Sequence, residues 1–184
     1  MTTYISILRG INVSGKSIIK MDALRKMFID TGFENVQTYI QSGNVIFKTK
    51  KISASQLEKK ISSEIEKQFG LKVPVLVIEL GELKRVVKNN PFANDKSKDT
   101  DFFHVTFLSE KPAKENMDKI FAANFLPNEF IAIDKTIYLY CPNGYGNTKI
   151  NNNFFENKLK LTATTRNWKT VNELVRIAEG EKLK

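Results

Sequence analysis

Residues 36–47 read Val-Gln-Thr-Tyr-Ile-Gln-Ser-Gly-Asn-Val-Ile-Phe. Val36 to Ile40 and Val45 to Phe47 are β-rich, and Gln41-Ser-Gly-Asn44 between them supplies turn chemistry, so the stretch predicts a β-hairpin. A hairpin makes the sheet around it antiparallel. That decides how a louder motif upstream is read. Gly10-Ile-Asn-Val-Ser-Gly-Lys-Ser17 satisfies G-x-x-x-x-G-K-[ST], the spelling of a loop that cradles phosphates, with Lys on the phosphates and Ser on Mg²⁺. Such a loop works when a helix starts at the Gly-Lys and aims its N–H groups at the anion, inside a parallel sheet. Here Ser17-Ile-Ile-Lys20 follows, with adjacent β-branched residues, and the better helix cap is Asp22. The sequence therefore disfavours a P-loop NTPase and any nucleotide cofactor.

Working outward, Tyr4 to Leu8 is a short apolar strand ahead of that loop. Leu24, Met27 and Phe28 form a helical stripe that ends at Gly32. Ser53-Ala-Ser-Gln56 spells a capping box before Leu57, Ile61, Ile65 and Phe69, spaced every fourth residue, and Gly70 closes that helix. Val73, Val75 and Val77 alternate as a strand, with Pro74 placing it at an edge or a strand start. The order β-α-β-β-α-β over residues 1–79 is the ferredoxin-like signature.

Residues 80–184 partly repeat it. Glu82 to Asn89 predicts a short helix stopped by Pro91, and Phe103, Val105 and Phe107 alternate on a strand. Pro112 to Asn124 predicts a helix with Met117, Ile120 and Phe121 inward, and Phe130–Ile133 with Ile137–Tyr140 predicts a second hairpin. Residues 148–160 read as a helix, and Thr170 with Glu173 as the capping box of the last one. No final strand is evident. The expected fold class is α+β: two packed lobes, 1–79 ferredoxin-like and 80–184 a related β-α-β-β-α arrangement with extra helices, without a flexible linker.

Composition excludes several classes. The 184 residues are 41% hydrophobic and 27% charged, a globular composition rather than a disordered one. Cys141 is the only cysteine, so there is no disulfide scaffold, and with His104 as the only histidine no Cys/His zinc site is expected. No apolar run approaches a membrane span, and the N-terminus reads as a strand rather than a signal peptide, so a reduced cytoplasmic location is expected. The net charge of +9 points to anionic partners. A Lys-, Ile- and Asn-rich chain can owe part of that excess to coding bias. The excess is uneven, however: net +5 over 1–79, zero over 80–140 and +4 over 141–184. Residues 1–21 and 157–172 contain no acid.

Several blocks resemble a bacterial family of uncharacterised proteins, domain of unknown function number 1697. They are Leu8-Arg-Gly-Ile-Asn-Val-Ser-Gly-Lys16, Ile19-Lys-Met21, Tyr39-Ile-Gln-Ser-Gly-Asn-Val45 and Asn90-Pro-Phe92, followed by His104-Val-Thr-Phe-Leu108, Tyr138-Leu139, Pro142-Asn-Gly-Tyr-Gly146 and Ala163-Thr-Thr-Arg-Asn-Trp-Lys-Thr-Val171. The resemblance covers nearly the whole chain in order. It implies a two-lobed α+β fold related to ferredoxin-like domains, and no particular activity, substrate or cofactor. In the family's pattern the position of Ser17 is often held by a residue that could not serve as a P-loop hydroxyl.

Topology supplies a candidate site. In a β-α-β-β sheet of this kind the first two strands run the same way, so the loop after the first and the hairpin after the second emerge at one end. That gathers Arg9, Asn12, Lys16, Lys20, Gln41, Ser42 and Asn44, whose cations, amides and hydroxyl suit an anionic or amide-bearing ligand. Turn geometry explains the Asn and Gly residues equally well. A second candidate cluster is Tyr145, Lys149, Arg166, Asn167 and Trp168, with capping and core packing as the alternative roles. His104 and Cys141 read as structural rather than catalytic. The polar blocks hold no carboxylate pair, so no catalytic residue is assigned. The leading expectation is a non-enzymatic binder of single-stranded RNA or DNA, with Tyr4 and Phe47 on the two strands that stack bases in ferredoxin-like RNA binders. The alternatives are an enzyme or binder for a small phosphorylated or carboxylated metabolite in a cleft between the lobes, and an interaction protein without a ligand.

Overall fold

The computed structural model describes residues 1–181. The chain divides into two compact units, residues 1–85 together with the stretch from Glu173 onward, and Val86–Asn172.

The first unit contains β1 (Thr2–Leu8), α1 (Met21–Asp30), β2 (Glu34–Tyr39), β3 (Asn44–Thr49), α2 (Ala54–Phe69) and β4 (Val75–Glu79). Its sheet runs β2-β3-β1-β4 with every neighbouring pair antiparallel, which is the ferredoxin-like order. Sequence chemistry accounts for the boundaries. Ser53 caps α2, its hydroxyl accepting the Gln56 amide, and Gly70 ends that helix in the left-handed region at φ 67°. The cap expected at Asp22 is not used: α1 begins at Met21 after Lys20, and Asp22 lies in the first turn, favourably placed against the helix dipole.

One face of this sheet presents Tyr4, Leu8, Val45, Phe47, Val75 and Val77 to Leu24, Met27 and Phe28 of α1 and to Leu57, Ile61 and Ile65 of α2. Each fully buried aromatic contributes roughly 1.5–3 kcal/mol of transfer free energy. Tyr4 and Phe47 sit here, stacked on one another with centroids 5.8 Å apart, and the Tyr4 hydroxyl donates to the Ile52 carbonyl at 2.8 Å. The expectation that they stack bases is therefore corrected. They are 2% and 0% exposed, on the helix-covered face. The opposite face carries Ile5, Ile7, Ile46, Leu76 and Ile78, all buried as well.

The second unit contains β5 (Phe103–Leu108), α4 (Lys114–Phe121), β6 (Glu129–Ile133), β7 (Thr136–Tyr140), α5 (Asn152–Leu159) and β8 (Ala163–Asn167). Helices α3 (Leu80–Lys88) and α6 (Trp168–Ala178) span the points where the chain divides. The second sheet runs β6-β7-β5-β8, again fully antiparallel, so both lobes are ferredoxin-like. The fourth strand, β8, is the element that the sequence reading lacked. Its residues Ala-Thr-Thr-Arg-Asn show no apolar alternation, and its place comes from pairing with β5 from His104↔Asn167 to Leu108↔Ala163. Three further expectations change. The helix expected over 148–160 covers only Asn152–Leu159. The last helix starts at Trp168, with Asn167 Oδ1 accepting the Thr170 amide at 2.8 Å instead of a Thr170 cap. Phe121 is 54% exposed rather than inward, resting on Phe130.

Candidate functional site

The loop after β1 is built around Asn12. Its Nδ2 donates to the carbonyls of Ile19 and Gln41, both at 2.9 Å, and its Oδ1 accepts the Ile19 amide at 2.8 Å. One side chain thus closes the loop on itself and ties it to the β2–β3 hairpin. The Leu8 amide donates to the Gly43 carbonyl at 2.8 Å. Gly43 is irreplaceable by geometry. Its φ is +79°, and a Cβ there would lie 2.7 Å from Ile11 Cδ1 and 2.8 Å from Leu8 Cβ. Asn44 is fully buried and donates to the Tyr39 carbonyl and to Ser42 Oγ.

These contacts sort the first cluster. Arg9, Asn12, Lys16, Lys20, Gln41, Ser42 and Asn44 do belong to converging loops, as the Asn12–Gln41 bond shows. Asn12, Ser42 and Asn44 spend polar atoms on holding the loops together. Lys16, Lys20 and Gln41 are exposed, and Arg9 is half-buried with its amide on the Pro74 carbonyl. No ion pair joins Lys16 or Lys20 to an acid among the described residues, whereas Lys26, Lys51, Lys67, Lys72, Lys84 and Lys111 each have one and Lys98 has two.

The same geometry answers the Gly10–Ser17 motif. The Asn12 amide donates to the Ser17 carbonyl and the Lys16 amide to the Val13 carbonyl, so two N–H groups of the loop bond inside it. No helix begins at Gly15-Lys16 and the sheet is antiparallel. A phosphate-cradling loop needs the opposite on each count.

In the second unit a polar network crosses from the sheet to α5. Thr165 Oγ1 is its hub, 2.7 Å from Thr106 Oγ1, donating to Asn152 Oδ1 at 2.7 Å and accepting from the Tyr145 hydroxyl at 3.0 Å. The His104 ring stacks on Tyr145 at 4.9 Å. Burial lowers the His104 pKa, and a hydrogen bond with the Phe102 carbonyl offsets part of that. The motif reading picked out Tyr145 but missed Thr106, Asn152 and Thr165. A threonine pair facing across two strands leaves no signal in a single sequence. Within the second cluster, Asn167 is the α6 cap, Trp168 is half-buried at the start of that helix and Lys149 is exposed. Arg166 donates to the Thr165 carbonyl, and desolvation pushes its pKa down to about 10. Tyr145 joins β8 through Thr165.

Cys141 is fully buried, and burial pushes its thiol up to about 11, the reverse of an activated nucleophile. Among the described residues no group of three or more His, Cys, Asp and Glu could hold a metal ion, and no helix is long and apolar enough to cross a membrane.

With two ferredoxin-like lobes and the Asn12–Gln41 junction in place, comparison with known proteins is direct. Residues 1–138 match the family described as Protein of unknown function (DUF1697). The chain belongs to the DUF1697 family. The match takes in both loops of the first cluster; the Gly144-Tyr-Gly146 and Ala163–Trp168 blocks lie beyond it. Among solved structures, the conserved bacterial protein SP0830 from Streptococcus pneumoniae is similar in fold. Its TM-score is 0.71 at 23% identity, over 97% of this chain and 99% of that one. No curated protein matches.

Proposed function

We propose that the end of the first unit formed by residues 9–20 and 40–44 binds the phosphate backbone of single-stranded nucleic acid without reading its sequence. The observation that carries this reading is the pair Lys16 and Lys20. Both are exposed, neither has an acidic partner among the described residues, and both sit on a loop that Asn12 holds in one shape. Exposed ammonium groups bind a small anion weakly, because water screens them. Against a polyanion each contact releases counterions, and the contributions add. With Tyr4 and Phe47 in the core, base stacking on this sheet is not part of the proposal. Asn12, Ser42 and Asn44 act as the frame rather than as ligands.

The test is fluorescence anisotropy of a mixed-sequence single-stranded RNA between about 50 and 200 mM salt. Two phosphate contacts give a log–log slope near −1.4, from about 0.7 per contact. Lys16→Ala with Lys20→Ala flattens that slope, and Ser17→Ala leaves it unchanged, since no Mg²⁺–hydroxyl contact is invoked. No binding at the lowest salt, or a slope indifferent to both lysines, rejects the reading.

A further inference from the structure

A cleft of about 650 Å³ lies elsewhere in the first unit, where α1, the edge strand β2, its neighbour β3 and the end of α6 meet. Phe33, Ile46 and Ile177 give it apolar walls. Its volume is in the range of small-ligand sites. We infer that this cleft is a binding site for a small amphipathic monoanion, a carboxylate with an apolar body.

The charges that line it support that class. Arg25 Nε donates to the Val36 carbonyl at 3.1 Å. This bond fixes the plane of the guanidinium and leaves the two terminal nitrogens for a bidentate acceptor, the arrangement a carboxylate fits. Lys48 is half-buried and stands opposite Glu34 in strand register, so the rim carries one charge of each sign there. Glu179, the other acid in the lining, is neutralised by Lys84 at 2.6 Å. One cationic fork remains beside an apolar wall. The β2 backbone is bulged at this point, with Asn35 at φ +50° and the pairing register shifting between Glu34 and Gln37. That interrupts the regular ladder of the outer strand where the cleft opens.

The test is a titration of the ¹⁵N-labelled full chain with sodium octanoate, followed by amide shifts. The expected result is saturable shifts at Thr3, Gln37, Lys48 and Gly180, weakened about tenfold by Arg25→Gln and less by Arg25→Lys, which keeps charge but loses the fork. Octylammonium, the charge-reversed probe of equal length, should not saturate these amides. Lys16→Ala with Lys20→Ala should leave octanoate binding unchanged, which keeps this inference separate from the nucleic-acid reading. Absent saturation at millimolar octanoate, equal binding of octylammonium, or indifference to Arg25→Gln in a variant whose remaining amide shifts match the parent would each overturn it.

Discussion

The two lobes share one topology and one register, yet their centres differ in polarity. Tyr4, Ser6 and Leu8 of β1 occupy the same ladder positions as His104, Thr106 and Leu108 of β5. In the first lobe Ser6 lies between Val45 and Val77, and its hydroxyl has no hydrogen-bond partner among the described residues. In the second, Thr106 lies between Ile137 and Thr165, and the Thr165 hydroxyl meets its own at 2.7 Å. The first lobe's centre is thus aromatic and aliphatic around an orphan hydroxyl, whereas the orphans of the second lobe, Thr164 Oγ1 and Asn128 Oδ1, lie outside its central network. The second has replaced a valine position with a threonine and answered the polarity with Tyr145 and Asn152. A buried polar group is stable when every member of its network is satisfied, and costly when one is removed.

The largest effect that would test this contrast is at the hairpins. Gly43→Ala forces a Cβ against Leu8 and Ile11 in a left-handed conformation, at a cost of roughly 2–4 kcal/mol. The second lobe's hairpin turns on exposed Asp134 and Lys135, with Asp134 at φ 52°, so Asp134→Gly should change stability by no more than about 0.5 kcal/mol. Urea unfolding of both variants gives the comparison directly. Equal losses would mean that the first hairpin is not clamped as described.

Next in size are the cores. Thr165→Val deprives Tyr145, Thr106 and Asn152 of their shared partner and should cost about 2 kcal/mol. Ser6→Ala removes a buried hydroxyl that bonds nothing, so it should be neutral or slightly stabilising. If the two substitutions are equally damaging, the network carries no special weight.

This contrast also explains what the sequence could reveal. β4 is readable because Val75 and Val77 alternate, while β8 is hidden because the second lobe's polar network puts threonines where apolar residues would signal a strand. The convergence of the two loops follows from strand order alone, since β1 and β2 must run the same way. The role of Asn12 does not, because three hydrogen bonds to residues 19 and 41 exist only in the folded chain. Tyr4 and Phe47 lie on the strands expected for them, but their rings face the helices. Both faces of β1 are apolar, with Tyr4 and Leu8 on one side and Ile5 and Ile7 on the other, so periodicity gives no hint of which face the helices cover. The cleft beside Arg25 has no motif at all. It arises from a helix surface, a strand bulge and a distant segment of chain.

A smaller difference should appear with pH. His104 takes the ladder position of Tyr4, and burial holds its pKa below the ordinary 6.5. The unfolded chain then binds the proton more readily than the folded one. Stability is complete above the unfolded value and is lost as pH falls from 6.5 toward the lower folded-state value. His104 is the only histidine, so its ring resonance reports the titration without ambiguity. The midpoint should lie below 6.5, and His104→Phe should lessen the loss of urea stability between about pH 8 and pH 5. A midpoint above 6.5 would place the ring in a wetter or more acidic setting than the Tyr145 stack provides.

The smallest expected effect compares the two hairpins residue for residue. Ile40 follows β2 and Asp134 follows β6, and both adopt the left-handed region, at φ 51° and φ 52°. Aspartate tolerates that conformation, whereas a β-branched residue is strained by about 1–2 kcal/mol. Ile40 is 48% exposed, so its burial returns little of that cost. Ile40→Asn should therefore raise stability by about 1 kcal/mol, read as a higher urea midpoint with an unchanged slope. Ile40 adjoins Gln41, whose carbonyl holds Asn12, on the same end as Lys16 and Lys20. Under the nucleic-acid reading the contacts are those of Lys16 and Lys20, so Ile40→Asn should stabilise the fold and leave both RNA binding and its salt slope unchanged. A stabilised variant that binds RNA less well at fixed salt would show that the hairpin tip itself touches the nucleic acid.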